Sequence, residues 1–181
     1  RCYNIMSQIY TVKRLDSMAF EWQLKEIELT EKYDLENYNI SQTYSQISSY
    51  YINTNQPEKA LEALKKADAT AYSPTQKISV QLEYVNYYSK FGDMQAAEKI
   101  LNECKTAFDQ DKRLWSIKKR LYNIEYVYYL QSKQYPKALE AAKKQEAEEL
   151  NLSESIQKSV HYLTKGKIYS NMGNMSEAIK Y

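Results

Sequence analysis

Small, aromatic and polar positions recur along this chain about every forty residues. Five alanines, Ala19, Ala60, Ala97, Ala138 and Ala178, each follow a tyrosine by nine residues, the tyrosines being Tyr10, Tyr51, Tyr88, Tyr129 and Tyr169. Successive alanines stand 41, 37, 41 and 40 residues apart. A fixed period of this length marks a stack of small units, each of which buries its apolar face only against its neighbours. Punctuation inside each unit is sparse but consistent. Glycine or a substitute ends one helix, and Asp16, Pro57, Asp93 or Pro136 then caps the next or occupies its first turn. The spacing predicts first (A) helices at about 2–13, 37–54, 75–91, 112–132 and 154–172. Second (B) helices are predicted at about 16–32, 57–71, 94–108, 136–149 and from 175 onward.

Aligned on their alanines, the units resemble the tetratricopeptide repeat, a helix pair of nominally 34 residues. Position four holds Tyr3, Tyr44, Gln81, Tyr122 and Tyr162, and position eleven is tyrosine in all five units. Position fifteen holds Gly92 and Gly173 and position eight of the last unit holds Gly166, so all three glycines fall on glycine sites of the repeat. Position twenty-seven keeps Ala67 and Cys104, while the first and fourth units depart with Glu26 and Gln145. The resemblance implies an all-α fold, a right-handed α-solenoid of about five antiparallel helix pairs with the last pair incomplete. The expected organisation is one domain over 1–181, with repeats at about 1–36, 37–74, 75–111, 112–152 and 153–181. Because the last B helix has run only about seven residues at Tyr181, the natural protein is expected to continue.

In this packing the alanine at position twenty lets helix B approach helix A, and the tyrosine at eleven fills the volume beside it. Tyrosine pairs such as Tyr87–Tyr88 and Tyr128–Tyr129 are read as one core ring and one ring facing the neighbouring unit. Glu125 and Lys165 occupy the same usually apolar position in adjoining units and are expected to face each other. Cys104 sits where the repeat has a small buried residue, and with Cys2 it makes no disulfide framework.

Composition narrows the function. With 25 basic and 23 acidic side chains the net charge is only +2, which supplies no field to gather nucleic acid or anionic lipid. The densest basic group, Lys112, Arg113, Lys118, Lys119 and Arg120, is interrupted by Asp109, Asp111 and Glu125 and reads as a solvated helix end. No stretch approaches a membrane span. The single histidine, His161, lacks a partner for a metal site or a triad, and the three glycines leave none for a phosphate loop. No catalytic, cofactor or metal residue is therefore assigned.

The family resemblance implies a concave wall built from A helices, and its positions map to particular residues. The first helix supplies Asn4 and Gln8, the second Gln42, Ser45, Ser49 and Asn53, and the third Ser79 and Asn86. Arg120, Asn123 and Gln131 follow from the fourth, and Lys167 and Asn171 from the fifth. Amide side chains pair with the peptide groups of an extended chain. The expected function is a non-enzymatic scaffold binding a protein or peptide, with the lengthened, Tyr- and Lys-rich repeats resembling the interaction regions of bacterial signalling or transcriptional regulators. A sensor of a small ligand or signal peptide and a structural scaffold that self-associates stand as alternatives. Neither nucleic acid nor membrane is expected as a partner of this region, and the compartment is left open between cytoplasm and periplasm.

Overall fold

The computed structural model describes residues 2–13, 15–33, 38–149 and 155–181, the side chains of 149 and 155–158 excepted. It is all α among the described residues, with helices α1 (Cys2–Val12), α2 (Asp16–Lys32), α3 (Ile40–Asn53), α4 (Pro57–Thr70) and α5 (Pro74–Phe91). These are followed by α6 (Met94–Gln110), a 3-10 helix (Lys112–Ile117), α7 (Lys118–Gln131), α8 (Tyr135–Glu149), α9 (Ser155–Asn171) and α10 (Met175–Ala178). The order alternates A and B helices in five pairs of the tetratricopeptide type. The predicted starts of the second and fifth A helices, at 37 and 154, lie outside the described residues. One difference from the expectation falls at 112–117, where the chain forms a 3-10 turn before α7 begins. Asp111 causes it: its carboxylate accepts the Arg113 backbone N–H at 2.9 Å and grips the same residue's guanidinium, which tightens the first turn.

The chain folds as two compact units, Arg1–Tyr87 and Tyr88–Tyr181, the division falling within α5. In the first, α1 packs on α2, α2 on α3 and α3 on α4. Ile27, Tyr44, Ile47, Ala63, Ala67, Ala71 and Val80 form its core, with Phe20, Ile40, Tyr51 and Tyr84 against them. Two buried serines bring α3 and α4 together: Ser41 donates to the Ala67 carbonyl at 2.8 Å and Ser48 to the Ala60 carbonyl at 3.0 Å. Only alanines opposite leave room for that approach. Glu26, which breaks the small-residue rule at position twenty-seven, accepts a hydrogen bond from the buried Thr43 hydroxyl at 3.3 Å. Tyr50 stacks on Phe20 of the preceding B helix with ring centroids 4.0 Å apart, as expected of the outward tyrosine of a pair.

In the second unit α7 packs on α8, α8 on α9 and α9 on α10. Ala138, Ala142 and Ile168 are its buried centre, bordered by Tyr126, Tyr129, Leu130, Tyr135 and Leu139. Gly166 lies under Ala178 and Tyr181, where an added Cβ would stand 3.4 Å from the Ala178 carbonyl oxygen, in van der Waals contact.

Helix A ends alike in the second, fourth and fifth repeats, and shares part of the same ending in the first and third. Position fifteen is left-handed at Asn55 (φ 59), Gly92 (φ 100), Lys133 (φ 59) and Gly173 (φ 73), two of which are not glycine. The next residue's N–H then reaches back to the carbonyl of the position-eleven tyrosine: Gln56 to Tyr51 at 2.9 Å, Gln134 to Tyr129 at 2.8 Å and Asn174 to Tyr169 at 2.9 Å. Leu15 makes the same bond to Tyr10 at 2.9 Å. This is a Schellman closure, which satisfies the helix's last carbonyls and turns the chain into helix B. Asp93 and Asn174 then cap α6 and α10 through the backbone N–H groups of Ala96 and Glu177.

The expected contact between Glu125 and Lys165 is not made. Glu125 instead holds Lys105 of α6 at 2.9 Å, and Lys165 holds Glu146 of α8 at 2.5 Å. Position seven of an A helix faces position twenty-eight of the preceding B helix rather than its own counterpart in the next unit. The two pairs are the same contact with the charges exchanged. In the first unit that contact is apolar, with Ile27 and Ile47 in one buried cluster.

Candidate functional site

A cleft of about 310 Å³ opens in the Arg1–Tyr87 unit between α1, α2 and α3. Thr11, Asp16, Ala19, Gln23, Gln46, Ser49, Tyr50, Asn53 and Thr54 line it. Seven of the nine carry a neutral hydroxyl or amide, and Asp16 is the one charged member. Gln23, buried on α2, donates its amide to Gln46 Oε1 at 3.1 Å. The joined glutamines keep a further acceptor on Gln23 and further donors on Gln46, the two kinds of group that a peptide bond requires. Behind Ser49 stands a buried carboxylate, Glu83, only 3 % exposed. Its Oε1 accepts from the Ser49 hydroxyl at 2.7 Å and from the Asn86 amide at 2.9 Å, tying α3 to α5.

Of the sequence-predicted wall residues, Ser49 and Asn53 line this cleft. Asn86 is joined to Ser49 through Glu83. Asn4 and Gln8 bond to each other at 2.8 Å on α1. Gln42 is exposed and Ser79 half-buried. Ser45 is buried with its hydroxyl on the Ser41 carbonyl at 3.0 Å, so it has nothing to offer a ligand. In the Tyr88–Tyr181 unit Asn123, Gln131, Lys167 and Asn171 are exposed, and Arg120 is half-buried with its Nε enclosed. Sequence reasoning missed Gln46 and Glu83, which share repeat position six. The signal was there, since the first and fourth units put Ile5 and Ile124 at that position. It also missed Gln23, because B helices were not counted in the wall.

The second unit has two adjoining clefts of about 310 and 350 Å³ that share Lys105, Glu125 and Lys144. Tyr129, Lys137, Glu140 and Ala141 complete one, and Phe108, Asp109, Trp115, Lys118, Leu121 and Tyr122 the other. Burial alone would lower the Lys105 pKa, but the hydrogen bond and charge of Glu125, helped by the Tyr129 hydroxyl, outweigh it and hold the ammonium above the ordinary lysine range. Burial, with the charge of Glu103, pushes the Cys104 thiol up to about 12. It is therefore packing material rather than a nucleophile. Among the described residues no three His, Cys, Asp or Glu side chains gather where a metal could bind, and no helix is long and apolar enough to cross a membrane.

The family described as 26S proteasome subunit RPN7 matches residues 11–142, from the end of α1 into α8. The chain belongs to this family. A tetratricopeptide repeat is matched in addition at residues 162–181, which carry α9 from Tyr162 onward and α10. No significant match is found among curated proteins or solved structures. The RPN7 match thus spans helix pairs of both units, and the repeat match takes up the pair that contains Gly166 and Gly173.

Proposed function

We propose that this chain is a non-enzymatic scaffold for a protein partner, and that an extended segment of the partner lies in the cleft between α1, α2 and α3. The observation that carries the reading is the cleft's chemistry. Amides and hydroxyls at Gln23, Gln46, Ser49 and Asn53 can bond the peptide groups of a strand without requiring charged side chains on it. The family description supports a protein partner, since a subunit by definition packs against other chains. The narrower expectation of a bacterial regulator's interaction region rests on the lengthened repeats alone. A photo-crosslinking residue at Asn53, compared with one at Glu140 on α8, tests the reading directly. The partner segment captured at Asn53 is then synthesised and titrated against wild type and the Gln46→Ala, Asn53→Ala variant. Each lost hydrogen bond contributes about 0.5–1.5 kcal/mol, so affinity should fall about tenfold to a hundredfold with the helical fold retained, although Gln23 loses its acceptor. Capture at Glu140 alone, or unchanged affinity, would overturn it.

A further inference from the structure

The basic group at 112–120, which the sequence presents as a solvated helix end, carries an aromatic side chain that the fold leaves outside. The 3-10 helix turns Leu114 inward, where it is buried, and leaves Trp115 54 % exposed. The turn itself is well held, by the Asp111 cap and its clasp on Arg113. Lys112 Nζ and Lys118 Nζ stand 5.8 and 5.5 Å from the centre of the indole ring, one on each side in sequence. Beside the ring opens the cleft of about 350 Å³, with Phe108, Leu121 and Tyr122 giving apolar lining and Lys105, Lys118 and Lys144 supplying cations. From 109 to 120 the chain has five Lys or Arg against two Asp, a net of +3. Exposed tryptophan beside a small cleft that has both apolar and charged lining is the composition of an interface anchor.

The charges decide what kind of partner fits. Asp109 and Glu125 line the cleft, and Glu140 and Glu148 stand 2.7 and 3.2 Å from Lys144 and Lys118. A phosphate backbone, with a charge at every step, would meet those carboxylates. A peptide with separated carboxylates can meet Lys112 and share Lys118 with Glu148, keeping its charges off the remaining carboxylates, while an apolar side chain enters over Phe108 and Leu121. We propose that Trp115 and its cleft form a docking surface for an acidic protein segment that carries one apolar anchor residue. This surface is independent of the α1–α3 cleft.

The test pans a phage-displayed random dodecapeptide library on the full chain, with Trp115→Ala as counter-selection. Selected sequences should be net acidic with a shared apolar position. The tightest, made as a synthetic peptide, should shift Trp115 emission in a Trp22→Phe background and bind more weakly as salt rises. Lys112→Glu and Lys118→Glu should each lower its affinity at least tenfold with unchanged helical circular dichroism, whereas Gln46→Ala, Asn53→Ala should not change it. Selection of neutral or basic sequences, affinity indifferent to Trp115→Ala, or tighter binding of oligouridylate RNA than of the peptide would each overturn the proposal.

Discussion

Exchanging the charges of Lys105 and Glu125 tests the packing rule that relates neighbouring units. Glu125 is deeply placed, its side chain 8 % exposed, while that of Lys105 is 40 % exposed. Exposed ion pairs are worth about 0.2–1 kcal/mol, and removing one partner of a buried pair costs about 3–5 kcal/mol. With one end buried and the other half in water, Lys105→Glu should cost about 2–3 kcal/mol, because it sets a second carboxylate against one that cannot escape to solvent. Glu125→Lys should cost a similar amount. For a chain of this size that corresponds to a fall in melting temperature of about 5–10 °C. The double exchange creates the arrangement that Glu146 and Lys165 already hold at the equivalent positions one unit later, so it should restore at least half of the loss. Urea titrations of the four proteins, read by circular dichroism and by amide hydrogen exchange in α6 and α7, give the coupling energy of the cycle. If the double variant is no more stable than the worse single one, the equivalence of the two contacts is wrong. Single variants within about 0.5 kcal/mol of wild type would show that the pair carries no weight.

Other outcomes follow from the same geometry. Lys133→Gly should stabilise the chain by about 0.5–1 kcal/mol, since a left-handed lysine is strained and glycine is not, while Gly92→Ala should destabilise it by about 1 kcal/mol through the backbone alone; urea midpoints measure both. Ala97→Leu should cost about 1–3 kcal/mol by overpacking a fully buried site, and a variant melting like wild type would contradict the register. Alkylation should label exposed Cys2 readily and Cys104 only on unfolding, as counted by intact mass. Because Cys104 stays protonated in the fold and ionises near 8.5 when unfolded, its contribution is complete below about pH 8.5 and declines as pH rises toward 12; Cys104→Ala should flatten the alkaline loss of stability.

Helix pairing was readable from this sequence because its marks are local. The nine-residue tyrosine-to-alanine spacing and the turn residues placed most helix ends within a few residues of where they stand. The sites were less readable because they depend on which faces meet. Position seven looked like a match between like positions, yet it packs on the B helix behind it, a relation that no single repeat contains. Ser45 looked like a wall residue because its number fits, but a serine at that depth satisfies its hydroxyl on its own helix. Trp115 gave no periodic signal at all, lying in a connector where the pattern lapses.

The bond from residue sixteen back to the tyrosine carbonyl at eleven also governs where this chain can grow. Made at four of the five turns, it helps set the passage from A to B, and the tyrosine-to-alanine interval is nine residues in every unit, while the units themselves differ by up to four residues. The slack falls after the alanine, in the length of helix B, in connectors such as Ala71–Ser73 and Asp111–Ile117, and in the start of the next helix A. A flexible tag spliced beside Tyr72 would lengthen a spacer, at an entropic cost that grows only slowly with its size. The same tag at Asn55 would cut the bond that folds a helix pair shut. The spans between hairpins can therefore differ in length within one chain while each hairpin keeps its turn.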